Sequence, residues 1–387
     1  MPLLPYLLVA ALALDRNLAV ISEERIGAPS TAYNHSSTLA ETAEGSLVAA
    51  WYGGSAEGAD DVSIWASRKD GSGWSPIVEV DDGRRDDGLL YACWNPVLHT
   101  ARSGVIYLFY KISSRRAVET LAGYQNWWGC FKTSTDNGRT WSERRWLPAN
   151  DSPLFANFGK VMSGPVKNKP LELPDGSLLS GSSTEAESWQ THVEIGAAGN
   201  WTGSIALVGP LQPTGAIQPA FLVLSPDYQN LRMLCRPQTG NNPFTAVSSD
   251  MGRTWSALTR VPGLETSVGL DALTLSNGWH LLAHNLPPNR YPLVLSRSRD
   301  GITWERVLPD LSVSGTLRMD YPAMIQTRDG RVHVTHSWDR AGIKHLVLDQ
   351  QYLTGGAAAV IAVPHRARAA VQGPFHGIWD AVGRDLR

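Results

Sequence analysis

Ser134-Thr-Asp136-Asn-Gly138-Arg-Thr140-Trp141 returns as Ser248-Ser-Asp250-Met-Gly252-Arg-Thr254-Trp255, and these two stretches decide how the chain folds. Looser copies are Ser298-Arg-Asp300-Gly301-Ile-Thr303-Trp304 and Ser67-Arg-Lys-Asp70-Gly71-Ser-Gly73-Trp74, with a worn fifth at Gly199-Asn200-Trp201. The chemistry is that of a hairpin turn. The Asp carboxylate accepts hydrogen bonds from its own turn's amides, Gly supplies positive φ, and Trp packs beneath. A match across eight positions marks an internal repeat.

Between these turns runs a second repeat: an apolar strand, a turn and another apolar strand. Its turns fall at Gly45, Gly104, Gly176, Asn230, Gly278 and Gly330. The span from Gly45 to Gly330 is 285 residues over five intervals, or 57 per unit. That is the length of four strands with loops, which is one blade of a propeller. The apolar runs are short, β-branched or aromatic, and bounded by Gly, Asp or Asn, so long helices are excluded. We therefore expect an all-β, six-bladed β-propeller over 18–349, with residues 18–26 supplying the strand that closes the last blade on the first. Residues 350–387, rich in Ala, Gly and Arg, read as a peripheral tail.

Composition narrows the functions available. With 34 basic against 36 acidic side chains, the net charge of −2 gives no electrostatic case for a nucleic-acid partner or an anionic membrane. Cys93, Cys130 and Cys235 lie too far apart for a disulfide framework or a CxxC metal site. No apolar run reaches the roughly 18–20 residues that span a bilayer. Residues 1–17 contain an apolar core from Leu3 to Leu14, read either as a short secretion signal or as an apolar extension. Sequons occur at Asn34, Asn150 and Asn200.

Aligning the six turns places a ring of residues at one offset ahead of each apolar strand. They are His35, Trp94-Asn95, Lys167-Asn168-Lys169, Ile217-Gln218, Asp271 and Asp320-Tyr321. Just past the return strands stand Tyr52, Lys111, Glu185, Arg236, His284-Asn285 and His336. In a propeller these strand ends converge on one mouth of the central channel, where a pocket forms. Strand ends meet water and are polar for that reason alone, but this accounts less well for the basic, amide and aromatic types gathered here. His35, His192, His284 and His336 lack metal-ligand spacing, and His99, His280 and His333 fall within strands as structural residues. No P-loop, GxSxG or dinucleotide fingerprint is present, so no cofactor is expected.

The turns and the six-fold repeat resemble the Asp-box (BNR) repeats of the sialidase, or neuraminidase, superfamily, and within it the bacterial-type "predicted neuraminidase" group. The resemblance covers about residues 18–349. Further segments carrying it are His35-Ser-Ser-Thr-Leu, Trp94-Asn95-Pro96-Val-Leu, Lys167-Asn-Lys-Pro-Leu, Ile217-Gln-Pro, Leu270-Asp-Ala and Tyr321-Pro-Ala-Met-Ile-Gln. The turn is specific for the fold and not for activity. Sialidases hold a substrate carboxylate with three arginines and use a Tyr nucleophile activated by Glu, with an Asp acid/base. The resemblance implies Tyr321 as nucleophile, Asp61 as acid/base with Asp60 as substitute, and Arg236 and Arg290 as the second and third arginines.

Two positions depart from that pattern. His35 stands where the first arginine belongs, because Arg25 lies about ten residues too early. Gln218 stands where the glutamate belongs and cannot take a proton. Charge-assisted bonds of roughly 1.5–3 kcal/mol each let two arginines hold a carboxylate, so an acidic saccharide is the expected partner. Loss of the base costs about 10²–10⁴-fold in a mechanism that needs it, unless Asp271 or Glu185 compensates. His35, Asn95, Lys167, Lys169 and His284 complete the expected binding set. The function implied is a retaining exo-glycoside hydrolase on a terminal carboxylated sugar. A uronate lyase, with Tyr321 or a histidine moving the proton, and a binding propeller without catalysis are the alternatives.

Overall fold

The computed structural model describes residues 15–27, 31–71, 73–113, 116, 127–148, 162–185, 189–196, 206–208, 215–266, 268–311 and 318–355. The apolar segment 3–14, the sequons at Asn150 and Asn200, the worn turn at 199–201 and the tail beyond 355 lie outside them.

Six antiparallel sheets follow one another along the chain as the blades of a β-propeller. Blade one is built from Tyr33–Glu41, Leu47–Gly54, Ser63–Asp70 and Gly73–Trp74, with Val78–Asp81 also pairing to the third strand. Blade two runs Cys93–Thr100, Ile106–Ser113, Trp127–Ser134 and Arg145–Trp146. Blade three runs Leu171–Glu172, Leu178–Thr184, Gln190–Gly196 and Ala206–Val208, and blade four Ala216–Val223, Leu231–Pro237, Phe244–Ser248 and Thr259–Arg260. Blade five runs Asp271–Thr274, His280–Asn285, Leu293–Ser298 and Glu305–Leu308. Blade six takes Met319–Gln326, Val332–Trp338 and Gly342–Leu348, and its fourth strand is Val20–Arg25 from the start of the described chain. That pairing closes the ring, and it is reinforced by Arg25 stacked 3.7 Å over Trp338.

The second strand of each blade is sandwiched between neighbouring blades, which is why Leu47–Gly54 and Ile106–Ser113 are buried along their whole length. The core lies between blades. Ala50, Tyr52 and Ile64 of blade one pack on Leu98, Leu108 and Tyr110 of blade two, and Leu281 and Leu295 of blade five on Met324 and Val334 of blade six. Burying such side chains contributes about 1.5–3 kcal/mol each.

Three Ser-x-Asp turns have one hydrogen-bond pattern. Asp136 Oδ1 accepts from Ser134 Oγ (2.7 Å) and Thr140 N (2.9 Å), and Oδ2 from Thr140 Oγ1 (2.5 Å). Asp250 and Asp300 repeat it with Thr254 and Thr303. Burial opposes ionisation of Asp136, but these donors win and hold it down at about 2. The copy at Ser67–Trp74 closes differently, because Asp70 is three residues from Ser67 and falls on the other face of the strand. There Ser67 Oγ bonds the Ser75 carbonyl instead, at 2.8 Å.

Cys93, Cys130 and Cys235 are buried free thiols. Asn34 is buried, its Oδ1 accepting from Trp51 Nε1 at 3.0 Å and its Nδ2 donating to the Thr31 carbonyl at 2.9 Å, which closes that sequon to modification. Among the described residues no helix is long and apolar enough to cross a membrane.

Candidate functional site

Four inner strands share one irregularity. The ladder to the second strand slips between His35 and Thr38, Trp94 and Val97, Ile217 and Ala220, and Asp320 and Ala323. At each slip one residue takes positive φ: Ser36 (54°), Asn95 (36°), Gln218 (58°) and Tyr321 (54°). Such a conformation costs a side-chain-bearing residue about 1–3 kcal/mol. A bulge re-aims the side chain it carries, and here it turns blade residues toward the channel. By the same spacing to their turn glycines, Lys167 and Gly269 hold this place in blades three and five.

Tyr321 is the hub of that ring. Its hydroxyl accepts from Arg236 Nη1 at 2.9 Å and from Gln218 Nε2 at 3.3 Å. Its ring meets His35 at 4.2 Å between centroids, with the charges of Lys167, Arg290 and Arg236 at 5.7, 5.8 and 5.9 Å. A Cβ on Gly269 would stand 3.1 Å from Tyr321 Cδ2 and 3.3 Å from Lys167 Cε, so the glycine makes room for both. Glu185 accepts from Gln218 Nε2 at 3.4 Å, and burial pushes its carboxyl above the usual range. Gln218 Oε1 is buried without a partner.

The cations are not equivalent. Arg290 is ion-paired with Asp320. Arg340 reaches Asp320 at 3.5 Å and Glu57 at 3.1 Å. Burial raises the Asp320 carboxyl while Arg290 pulls it down, and the rise prevails. Arg236 differs: its Nε is buried with no partner, and no carboxylate among the described residues lies within ion-pairing distance. Lys167 is buried and donates to Asn168 Oδ1 (3.0 Å), the Leu270 carbonyl (2.9 Å) and the Pro322 carbonyl. Burial pushes its amine down to about 7. His35 bonds Ser337 Oγ through Nδ1 at 2.7 Å, with Asp320 Oδ1 at 3.5 Å. Burial, joined by Arg290, Arg318, Arg236 and Lys167, keeps its pKa well below the usual imidazole value, so it is neutral at pH 7.

The structure thus brings Tyr321, Gln218, Arg236, Arg290, His35 and Lys167 together. Asn95 sits in the ring, its carbonyl accepting from Lys111 Nζ at 3.3 Å. Asp61 lies on the exposed blade-one rim, accepting from Ser55 N and Oγ, and Asp60 beside it is paired with Arg116 at 3.0 Å. Asp271 makes no bond to Tyr321. Its carboxylate takes Lys169 Nζ at 2.9 Å, Met324 N at 2.7 Å and Ala272 N at 2.9 Å, tying blades three, five and six. Lys169 also lines a cavity of about 450 Å³ at the turn end of the inner strands, with Arg102 and Arg328. His284 is spent on the Glu265 carbonyl and Ser296 Oγ, both at 2.9 Å, away from the ring.

Arg340, Glu57 and Gly269 belong to the site without having been expected there. Gly269 was open to sequence reasoning, since it stands as far before Gly278 as Tyr321 before Gly330. Arg340 follows the blade-six return strand in a turn that no repeat marks. Among the described residues no group of three or more His, Cys, Asp or Glu is arranged to hold a metal.

A family model described as "BNR repeat-like domain" matches residues 45–334. No curated protein sequence matches the chain. A protein of unknown function from Dyadobacter fermentans is similar in structure, with TM-score 0.69 and 16% identity over 85% of this chain and 98% of that one. The Hadza microbial sialidase Hz136 gives 0.66 and 18% over 83% and 66%. The leech intramolecular trans-sialidase, solved with 2,7-anhydro-Neu5Ac, gives 0.63 and 13% over 87% and 71%. At these identities the likeness is one of fold.

Proposed function

The chain belongs to the BNR repeat-like domain family, and on that premise we propose that it is a sialidase-like exo-glycoside hydrolase that removes a terminal carboxylated sugar. One observation carries the reading: Arg236, bonded to the Tyr321 hydroxyl, has a buried Nε without a partner. The half-buried guanidinium lies 4.9 Å over the Trp189 ring with the Glu185 charge near but outside pairing distance, and a substrate carboxylate is the group that matches its open fork. Arg290 would add a second cation on the side already balanced by Asp320.

With the carboxylate on Arg236, the anomeric carbon, which in a sialic acid carries that carboxylate, comes to the Tyr321 oxygen. That oxygen attacks, the bond to the leaving oxygen breaks, and Asp61 donates the proton to the leaving group. Arg236 and Gln218 donate to the phenol oxygen, and its proton passes to solvent, since Gln218 cannot accept it. Water, deprotonated by Asp61, then attacks the anomeric carbon and breaks the glycosyl–tyrosine bond with net retention, and the released phenolate takes its proton back from solvent, the tyrosine route among retaining enzymes.

The amide at Gln218 also favours a second reading. A tyrosine whose hydroxyl is bonded by Arg236 and Gln218 and by no carboxylate suits removal of the proton beside a uronate carboxyl, followed by loss of the 4-oxygen substituent. A panel of sialyl and uronyl glycosides separates the two. Free sugar without ultraviolet absorbance supports hydrolysis, and an absorbing unsaturated product supports elimination. Tyr321→Phe is expected to abolish turnover and keep binding. Full turnover by that variant excludes both routes through Tyr321.

A further inference from the structure

The mouth around Tyr321 continues beyond the ring of bulge positions as a row of aromatic side chains. His35 meets Tyr52 at 5.6 Å between ring centroids, Tyr52 meets Trp94 at 5.7 Å, and Trp94 meets Trp127 at 5.8 Å, tilted by 35°. The row starts buried, at His35 and Tyr52, and ends half-buried, at Trp94 and Trp127. Trp94 holds the register position of His35 and Asp320, one residue before the bulge, so it opens on the same mouth. Its indole is fixed by the bond from Nε1 to Ser113 Oγ at 2.8 Å.

The row also lies on a particular side. The acid/base candidate Asp61 and its neighbour Asp60 come from blade one, and Asp60 is clasped by Arg116 of blade two, three residues past Ser113. An acid that protonates the leaving oxygen must stand beside the leaving group. The leaving group is thereby directed over blades one and two, where the aromatic row runs. Glu57, exposed at the rim, accepts there from the hydroxyls of Tyr33 (2.6 Å) and Tyr52 (3.2 Å) and from Arg340 (3.1 Å).

We propose that Trp94 and Trp127 form the leaving-group subsites, so that the enzyme takes its acidic sugar from the end of an oligosaccharide whose next pyranose rings stack on the two indoles. This rests on reading the Tyr321 site as one that cleaves a glycosidic bond. The C–H face of a pyranose is apolar and its rim is polar, which fits an indole face bordered by hydroxyl acceptors. Two indoles one ring apart suit consecutive sugars, whereas a small aglycone would use one.

The test has two arms. In the first, kcat/KM is compared for an aryl glycoside and a tetrasaccharide bearing the same terminal acidic sugar. The wild type is expected to prefer the tetrasaccharide about tenfold or more, and Trp94→Ala to erase the preference. In the second, the neutral trisaccharide left after removal of the acidic sugar is titrated against tryptophan fluorescence. Binding is expected in wild type and in Tyr321→Phe, and its loss in Trp94→Ala and Trp127→Ala. Trp94→Phe, which keeps a ring in the same place, should restore part of both effects and guards against misfolding, as do melting curves. Cleavage of both substrates with no preference in wild type, or with the preference intact in both alanine variants, overturns the subsites and leaves the glycosidase reading standing. Trisaccharide binding through Trp94 with no cleavage supports the subsites while sinking that reading. Neither cleavage nor binding overturns both.

Discussion

Gln218 Nε2 stands 3.3 Å from the Tyr321 hydroxyl, where a carboxylate would take that hydroxyl's proton. Gln218→Glu restores such a group without changing the size of the side chain. It also places a second carboxyl near Glu185, whose pKa burial already raises, so the two carboxyls would share a proton whose loss moves to higher pH. For hydrolysis through Tyr321 the substitution is expected to raise kcat by about 10–10²-fold, most strongly above the pH at which the shared proton leaves. A pH–rate profile checks it. An unchanged or lower kcat at every pH counts against a nucleophilic Tyr321.

Gly269→Ala tests the packing that aims the tyrosine. The glycine's φ is not in the left-handed region, so the backbone accepts alanine, but the new methyl would press on the Tyr321 ring and on Lys167 Cε. Overpacking of this kind costs about 1–3 kcal/mol, and an ångström of misplacement at a reacting atom costs about 10²-fold in rate. Expected are a modest fall in Tm and a much larger fall in kcat, with KM little moved. A loss of stability with full kcat would show that the ring can shift freely.

The fold was legible because the repeat is written in residues whose chemistry is local. Ser134, Asp136 and Thr140 build their turn from their own hydrogen bonds, and the same spelling at 248–254 builds another. The Ser67–Trp74 copy looked similar, and a one-residue change of spacing turned its Asp70 away. The clustering at the candidate site was legible where it follows the repeat, as at Tyr321, Gln218 and Lys167. It was not legible where partners come from elsewhere. Nothing in the sequence around Asp271 announces that Lys169 and Met324 occupy its oxygens. Nor does His284 show that both ring nitrogens are engaged within blade five and its flanking loop.

Lys111 offers a test of the charge buried in the channel wall. Its amine is fully buried, donates only to the Asn95 and Pro165 carbonyls, and is pushed down to about 7 by burial. A free lysine titrates near 10.5, so between pH 7 and 10.5 the unfolded chain holds a proton that the folded one has released. Stability therefore rises with pH across that window, by up to about 1.4 kcal/mol per pH unit. Lys111→Met has no such group. Its Tm relative to wild type is expected to be highest below pH 7 and to fall steadily toward pH 10.5, where the neutral amine still satisfies two carbonyls. Melting curves at pH 6, 8 and 10 check the trend, and a constant difference would place the lysine charge in contact with water.

The seam that closes the propeller carries a titratable chain of its own. Lys69 Nζ is 2.9 Å from Glu24 Oε1, which is 2.9 Å from His345 Nδ1, and His345 Nε2 is 2.9 Å from His333 Nδ1. The Glu24 carboxylate only accepts, so His345 donates through Nδ1 and accepts at Nε2 from His333 Nδ1–H, with both rings neutral. Burial, helped by His345 and opposed by Asp329, pushes His333 down to about 4. In the unfolded chain it titrates near 6.5, so the unfolded state takes up the proton first. The stability is whole above pH 6.5 and is lost as pH falls toward 4. His333→Asn keeps an N–H for His345 and removes the titration. Its Tm is expected to fall less steeply than that of wild type between pH 6.5 and 4, while His284 and His336 titrate alike in both proteins. Hydrogen exchange at pH 4.5 should find Val20–Arg25 opening earlier in wild type than in the variant. Parallel melting profiles with equal exchange would mean that the seam carries its proton without strain.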